Sequence, residues 1–221
     1  MERVSKRTRL LYTVVFWIGL LVVPIVAGII SQYYAALGRH LEIISIISSL
    51  TSAVIGVYLF RDLIRRDYRY LEDKWVKVTL LIIAGFVFRI VLTTLLTQLV
   101  SVETSENQVA LEGMLNTIPL WLFSTMIVAS APITEELFFR EVLLGWTKSR
   151  LVQWVMGIVS VLFFSFMHTT TDPLSVVLYI PIAIPIVFLY FYFRKNVVVS
   201  IIFHVVNNAI ALAAMVVTSK G

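Results

Sequence analysis

The chain has 221 residues, of which 59% are hydrophobic and 14% are charged, and its mean hydropathy is +0.93. Soluble domains carry about 25% charged residues, so these values exclude a soluble fold and predict an integral membrane protein. The absence of cysteine excludes disulfides, thiolate metal sites and thiol nucleophiles. The net charge of +5 comes from basic residues confined to short segments between apolar stretches, which indicates membrane topology rather than nucleic-acid binding.

Apolar stretches of about 20 residues, the length that crosses a bilayer, recur seven times along the chain. They cover residues 10–31, 43–60, 78–100, 117–147, 151–168, 174–193 and 197–218. The first stretch is too long for the core of a signal peptide, so we predict an uncleaved first span. We therefore predict an all-α fold, a polytopic bundle of about seven transmembrane helices forming a single membrane domain over residues 1–221. Pro132 is expected to divide the fourth span.

The distribution of basic residues predicts the orientation of these spans. Residues 61–77, predicted as a loop, hold six Lys and Arg, whereas residues 101–116, also predicted as a loop, hold three Glu and neither Lys nor Arg. With the N-terminus in the cytoplasm, 14 of the 18 basic residues lie on the cytoplasmic side and only Arg39 and Lys220 lie outside. The positive-inside rule therefore predicts a multi-pass protein of the plasma membrane with a cytoplasmic N-terminus.

Two further basic residues lie within the predicted spans, and one of them belongs to the most polar stretch of the membrane region. Arg89 is expected to snorkel or to pair. Arg140 follows Glu135 and Glu136, and each such charge costs ~2.5–3.5 kcal/mol on insertion scales. Glu136 and Arg140 are four residues apart, so they share a helix face and are expected to pair. Glu135 is turned about 100° away and needs another partner or a role of its own.

Polar residues in two other spans extend this pattern. They are His168, His204 and Asn208, and the last two are one helical turn apart on one face. A glutamate beside a histidine activates water as a general base, and a second histidine with an asparagine donates hydrogen bonds to an oxyanion. One glutamate and two histidines are also a ligand set for zinc, although the spacing His-Glu-x-x-His is absent. Both chemistries stay open at this point, beside purely structural roles as a buried ion pair or interhelical hydrogen bonds.

Taken together, three motifs resemble the signature of a known family. They are Glu135-Glu136-x-x-x-Arg140, Phe164-x-x-x-His168 and His204-x-x-x-Asn208. In this order they resemble the CAAX-protease and bacteriocin-processing family, also called ABI or CPBP, whose members are intramembrane endopeptidases and include the type II CAAX prenyl endopeptidase. The resemblance covers residues 117–218, which would form the protease core.

The resemblance implies a role for each matched residue. Glu135 would be the general base that activates water, and His168 would assist at the same water. His204 and Asn208 would form the oxyanion hole. Glu136 and Arg140 would hold these groups in place. The resemblance favours a reaction without a resident cofactor; a zinc or other divalent ion held by Glu135, His168 and His204 is the alternative.

The resemblance also implies a biological setting. Its substrate would be a membrane-associated peptide or protein, and its partners would be lipid and that peptide, with no nucleic acid. Bacterial members of the family act in bacteriocin immunity and peptide processing, and the short loops favour a bacterial origin. Two other functions are compatible with the polar residues: a peptide-binding immunity protein that does not cut, and a small transporter or proton relay. The lack of an inverted repeat weighs against a transporter.

Depth in the membrane sets a geometric condition on a shared site. At about 1.5 Å per residue, straight helices normal to the membrane place His204 at ~14 Å, Glu135 at ~20 Å and His168 at ~27 Å from the cytoplasmic charges. These side chains meet only if Pro132 bends the fourth span, if helices tilt, or if the first turns of the fifth span lie in the interface.

Overall fold

The computed structural model describes residues 4–34, 38, 40–100, 102, 104–169 and 172–218. Helices dominate this part of the chain, and no strand occurs in it. The helices are α1 (Lys6–Ser31), α2 (Leu41–Leu71), α3 (Trp75–Val100), α4 (Glu106–Thr117), α5 (Leu120–Val142), α6 (Arg150–Met167), α7 (Pro173–Tyr192) and α8 (Val197–Thr218).

Seven of these helices, all except α4, are long and apolar enough to cross a membrane. The predicted all-α multi-pass fold is therefore confirmed. The bundle has two ends, which we name by their charge. The basic end holds the start of α1 and the connections 72–74, 143–149 and 193–196, and the opposite end holds α4. Arg3, Arg39 and Lys220, which entered the predicted charge count, lie outside the described residues.

The prediction of a loop over residues 61–77 is wrong. Helix α2 continues to Leu71, and α3 begins at Trp75. The basic stretch stays helical because it is amphipathic: Leu63, Asp67 and Leu71, spaced by four, are buried on one face, and the arginines between them are exposed. The helix thus runs on beyond its apolar part, and its arginines point to solvent.

The prediction of a loop over residues 101–116 is also wrong, because this stretch contains α4. Ser105 caps its N-terminus by accepting a hydrogen bond from the Gln108 N–H at 3.2 Å. Leu111, Met114 and Leu115 pack against a small apolar cluster that includes Ile46 of α2. A serine followed three residues later by glutamine is a helix-start signal that the sequence does contain.

Pro132 does not divide the fourth span, which is one helix from Leu120 to Val142. After a short α-helical start, Leu120–Ser124, its longer regular part, Ala131–Glu136, is flanked by two π-helical segments, Thr125–Ser130 and Leu137–Val142. Pro132 stands in the first turn of the regular part, where its missing N–H is tolerated. The chain then turns back before residue 147, so α5 is shorter at the basic end than predicted.

Helix α1 packs against α5 beside the polar stretch. The rings of Phe16 and Phe138 stack at 3.9 Å between centroids. The Tyr12 hydroxyl donates a hydrogen bond to the backbone oxygen of Thr134 at 3.3 Å, one residue before Glu135. The first span, which carries none of the three motifs, therefore helps to fix the part of α5 that carries Glu135.

The connections at the basic end are joined by polar contacts. The Asp67 carboxylate accepts from the Val197 N–H at 2.9 Å, at the start of α8, and Asn196 donates to the Asp67 backbone oxygen at 2.7 Å. Lys195, whose φ of 64° lies in the left-handed region, donates from its ammonium to the backbone oxygens of Gly145 and Thr147 after α5. These contacts hold α2, α5 and α8 in register at one end.

Candidate active site

Glu135, His168 and His204 meet in the interior of the bundle. The Glu135 Oε2 atom lies 3.7 Å from His168 Nε2 and 3.8 Å from His204 Nε2. Both distances are too long for direct hydrogen bonds. Oε2 is buried, and no group among the described residues forms a hydrogen bond with it. The result is an unpaired carboxylate oxygen that faces two imidazole nitrogens across a gap.

The shortened α5 explains why Glu135 and His204 lie at one depth. Glu135 is seven residues before the end of α5 at Val142, and His204 is seven residues after the start of α8 at Val197. At ~1.5 Å per residue both side chains start ~10 Å from the basic end. The expected depth mismatch between these two residues arose from placing the end of the fourth span at residue 147.

Glu136, the residue next to Glu135, accepts hydrogen bonds from the side chains that surround this centre. Its carboxylate accepts from Arg140 Nε at 2.7 Å and from Arg140 Nη2 at 3.4 Å, which confirms the pairing expected from their spacing. It also accepts from His204 Nδ1 at 3.0 Å. Glu136 and Arg140 are fully buried. Because a carboxylate only accepts, His204 Nδ1 carries a proton and its Nε2 is turned towards Glu135.

Arg140 is also held by Ser160 of α6, a residue that the sequence analysis missed. Arg140 Nη1 donates to Ser160 Oγ at 2.6 Å, and the Ser160 hydroxyl donates to the Phe139 backbone oxygen at 3.1 Å. The π-helical segment makes this oxygen available. The Leu143 N–H donates to the backbone oxygen of Phe138, and the Leu144 N–H donates to that of Arg140, so neither donates to the backbone oxygen of Phe139. Ser160 takes its place as donor and links α5 to α6.

The other π-helical segment also leaves a backbone oxygen without a helical donor, and this oxygen positions Asn208. The Ala131 N–H bonds Met126, five residues back, and Pro132 has no N–H, so neither residue donates to the backbone oxygen of Ile127. Asn208 Nδ2 donates to that oxygen at 3.0 Å, and its Oδ1 accepts from Asn207 Nδ2 at 3.0 Å. An amide nitrogen has two hydrogens, so Asn208 keeps one more donor.

His168 is oriented by the end of its own helix. It follows the last residue of α6, where backbone oxygens lose their helical partners. Its backbone N–H bonds Ser165, and its side-chain Nδ1 lies 2.8 Å from the backbone oxygen of Phe164, to which it donates. The imidazole is flanked by the rings of Phe164 and Tyr179, with centroids 4.5 Å and 4.8 Å away. Its Nε2 is therefore directed at Glu135.

All four residues assigned to the reaction by resemblance, Glu135, His168, His204 and Asn208, line one cavity of about 870 Å³. Among the described residues, no hydrogen bond joins Asn208 to the other three; it lies one turn beyond His204 on the cavity wall. The cavity reaches α4 at the end opposite the basic end, and residues of all seven spanning helices contribute to its wall. Its volume is within the range of small-ligand pockets.

A second buried polar cluster, also missed from the sequence, lies nearer the basic end. The Glu141 carboxylate accepts from the Tyr190 hydroxyl at 3.1 Å and lies 3.8 Å from Arg9 Nη2. The three residues belong to α5, α7 and α1, and all are buried. A Cβ atom at Gly145 would overlap the Glu141 carboxylate, so glycine is required there. Glu141 directly follows Arg140 within the apolar run, a position that the sequence alone could have flagged.

A metal ion at this centre would need donor atoms from three side chains. Glu135, His168 and His204 are the residues that would have to supply them. Among the described residues, no group of three or more His, Cys, Asp or Glu side chains is arranged to hold a metal ion. The imidazoles nevertheless both present Nε2 to the same carboxylate oxygen.

Fold and cavity together define a multi-pass helical membrane protein with a glutamate–histidine centre inside the bundle. Residues 117–210 match the family model described as "Type II CAAX prenyl endopeptidase Rce1-like". The resemblance to CAAX proteases is therefore confirmed for this part of the chain, and it implies a protease of the CAAX type. No curated protein and no solved structure matches the chain.

Proposed function

We propose that this protein is an intramembrane endopeptidase in which Glu135 activates water, within a catalytic core over residues 117–218. The observation that carries the proposal is the unpaired Glu135 Oε2, buried opposite two Nε2 atoms at 3.7 Å and 3.8 Å. A water bound in this gap would hydrogen-bond to the carboxylate and to an imidazole. Glu135 takes a proton from this water, the resulting hydroxide attacks the peptide carbonyl, and the protonated carboxyl then gives the proton to the leaving amine.

His168 orients the water in this proposal. Its Nδ1–H is occupied by the backbone oxygen of Phe164, so its Nε2 accepts a hydrogen bond from the water. The flanking rings of Phe164 and Tyr179 limit rotation of the imidazole. Such a fixed acceptor lowers the entropy cost of placing the water for attack.

His204 and Asn208 stabilise the oxyanion that forms at the carbonyl. His204 donates Nδ1–H to Glu136, and its Nε2, turned towards the gap beside Glu135, would donate to the oxyanion when it carries a proton. Asn208 contributes the hydrogen of its amide group that Ile127 leaves free. Arg140 neutralises Glu136, and Glu135 is the remaining carboxylate at this centre.

We propose that the reaction needs no metal ion. The protein groups already supply a base, a water acceptor and two oxyanion donors. The alternative, zinc on Glu135, His168 and His204, differs in its response to chelators. Prolonged incubation with a strong chelator is expected to leave cleavage unchanged, whereas loss of cleavage that added zinc restores would support the metal site.

The proposed setting is the bacterial plasma membrane, with the N-terminus in the cytoplasm. The substrate is a membrane-associated peptide or protein, and peptide processing or immunity against a bacteriocin is the proposed biological role. The concentration of basic residues in α2 and the neighbouring connections supports this orientation.

The test is the Glu135→Gln variant. It keeps the size of the side chain and removes the base, so peptide cleavage in proteoliposomes should fall to background while folding and expression are unchanged. Glu112→Gln is the matched control, because Glu112 lines the same cavity from α4 and accepts a hydrogen bond from Gln108 of its own helix, so this change should preserve cleavage. Full cleavage by Glu135→Gln would refute the role of Glu135. Immunity in cells that survives this change, with no cleavage by the unaltered protein, would favour a peptide-binding protein that does not cut.

A further inference from the structure

Arg89 lies in the middle of a membrane-spanning helix. It follows the start of α3 by 14 residues and precedes its end by 11, which places it ~21 Å and ~16 Å from the two helix ends. These distances exceed the reach of an arginine side chain, so the predicted snorkelling to an interface does not apply.

The Arg89 side chain differs from that of Arg140 in its contacts with the described residues. It forms no hydrogen bond and no ion pair with any residue that the structure describes, in contrast to the fully paired Arg140. The predicted pairing is therefore absent from this part of the chain. Intramembrane charges face water-filled cavities or bind something, since an unpaired charge in lipid is costly.

Arg89 lines the same cavity as Glu135, His168 and His204. Thr93, one turn further along α3, lines it as well. One turn before Arg89, Gly85 and Phe86 bring α3 against α8: the ring of Phe86 stacks on that of Phe203 at 4.7 Å, and a Cβ at Gly85 would clash with it. Close packing at Gly85 thus fixes the height and direction of the turn that carries Arg89.

Arg89 is also the only Lys or Arg among the described residues that line this cavity. The carboxylates among the described residues that line this cavity are those of Glu112 and Glu135, and neither forms an ion pair with Arg89. Its guanidinium therefore keeps N–H donors that no described residue binds, inside a cavity whose other lining side chains are apolar, hydroxyl, amide, carboxylate and imidazole groups. A guanidinium matches the two oxygens of a carboxylate in a fork geometry.

We propose that Arg89 binds a carboxylate of the peptide substrate and so determines which peptides the cavity accepts. This inference rests on the proposed peptidase function and adds a substrate class, namely peptides that bring a negative charge into the membrane cavity. The carboxylate comes either from the C-terminus of the peptide or from an Asp or Glu side chain. Both sources present the same group to the guanidinium.

The experiment uses four versions of one apolar, fluorescently labelled octapeptide. They end in a carboxylate or a carboxamide, and they carry Glu or Gln at a central position. Binding is measured by fluorescence anisotropy to the full-length Glu135→Gln protein in nanodiscs, so that cleavage does not interfere. Arg89→Gln is added to this background, and Arg65→Gln, an exposed arginine of α2, is the matched control.

We expect the carboxylate form of at least one pair to bind about 10- to 100-fold more tightly than its neutral form, as expected for a charge-assisted hydrogen bond. Arg89→Gln should abolish this difference, and Arg65→Gln should keep it. A difference between carboxylate and carboxamide ends identifies a C-terminal carboxylate, and one between Glu and Gln identifies a side chain.

Equal binding within both pairs, or no binding of any of the four peptides, would overturn the proposal. A preference that survives Arg89→Gln would also overturn it. Cleavage is then measured with the protein that retains Glu135, where Arg89→Gln should raise KM for the preferred peptide and leave kcat unchanged. A binding preference that depends on Arg89 without any cleavage would leave this inference intact and refute the peptidase function.

Discussion

Glu136 is the residue that joins the buried polar contacts around the candidate site. It accepts hydrogen bonds from Arg140 and from His204, and Arg140 in turn reaches Ser160. Three helices, α5, α6 and α8, are thereby tied together by one carboxylate and one guanidinium. In the proposed mechanism Glu136 and Arg140 are architectural, and Glu135 supplies the oxygen that acts as the base.

Removing one partner of the buried pair should be strongly destabilising. Arg140→Ala leaves the Glu136 carboxylate buried with only His204 beside it, and breaking such a pair costs ~3–5 kcal/mol. The yield of folded protein and its thermal unfolding temperature in detergent should both fall. Adding Glu136→Gln removes the unpaired charge and should partly restore both. An Arg140→Ala protein as stable as the unaltered one would contradict this account of the pair.

A substitution at Ser160 tests whether its hydrogen bonds to the π-helical segment of α5 stabilise the protein. Ser160→Ala removes the donor to Phe139 and the acceptor for Arg140, and leaving such buried groups unsatisfied costs ~1–3 kcal/mol. Ser165→Ala is the matched control on the same helix: Ser165 is equally buried, but its hydroxyl bonds only Val161 of its own helix at 2.8 Å. The measured free energy of unfolding should be clearly lower for Ser160→Ala than for Ser165→Ala. Equal stability of the two variants would argue against the interhelical role.

At the scale of elements, α4 is connected to the candidate site through Tyr179 of α7. The Tyr179 hydroxyl is 2.6 Å from Ser105 Oγ and accepts from Asn107 Nδ2 at 3.2 Å, while its ring lies against His168. At its other end, α4 is held to α2 because Thr117 donates to the Glu42 carboxylate at 2.7 Å. The helix that closes one end of the cavity thus contacts the same ring that supports His168.

Tyr179→Phe should loosen α4 and keep the ring that flanks His168. It removes both hydrogen bonds to the start of α4, at about 1 kcal/mol each. Hydrogen exchange followed by mass spectrometry should show faster exchange of the amides of α4, with unchanged exchange in α8. Tyr192→Phe, at the basic end of the same helix, is the control and should not alter α4. Unchanged exchange in α4 after Tyr179→Phe would contradict the role of the hydroxyl.

The sequence predicts the parts of the site that depend on rare residues at membrane depth. Charged and imidazole groups are so costly in lipid that Glu135, Glu136, Arg140, His168 and His204 stand out without a structure. Ser160 does not stand out, because a serine in a membrane helix resembles every other serine of the spans. The two π-helical segments have no residue pattern that marks them, although they free the oxygens of Ile127 and Phe139.

The helices themselves are also predicted only in part: the sequence predicts where each span lies but not where every helix ends. Hydropathy locates the apolar core of each span, so all seven are predicted. It does not locate the end of α2, because the face of Leu63, Asp67 and Leu71 keeps a polar stretch helical through tertiary packing. It places the end of α5 too late, since the apolar residues after Val142 belong to a turn.

At the scale of the whole molecule, the basic end and the cavity lie apart. The ion pair of Arg9 with Glu141 and the contacts of Lys195 and Asp67 fasten the helices at the basic end. The cavity extends from the centre towards α4, where serine, asparagine and glutamine side chains line it. A peptide that reaches Glu135 through the cavity would therefore approach from the side of α4, which is the outer side in the proposed orientation.

The orientation can be tested directly because the chain has no native cysteine. Asp73→Cys lies in the exposed connection between α2 and α3, and Ala110→Cys lies on an exposed position of α4. With 14 basic residues assigned to one side and two to the other, the positive-inside rule predicts a cytoplasmic α2–α3 connection. A membrane-impermeant maleimide should label Ala110→Cys on intact cells and label Asp73→Cys only after the membrane is opened. The reverse pattern would invert the topology and place the α4 side of the cavity in the cytoplasm, so that the substrate would have to arrive from inside the cell.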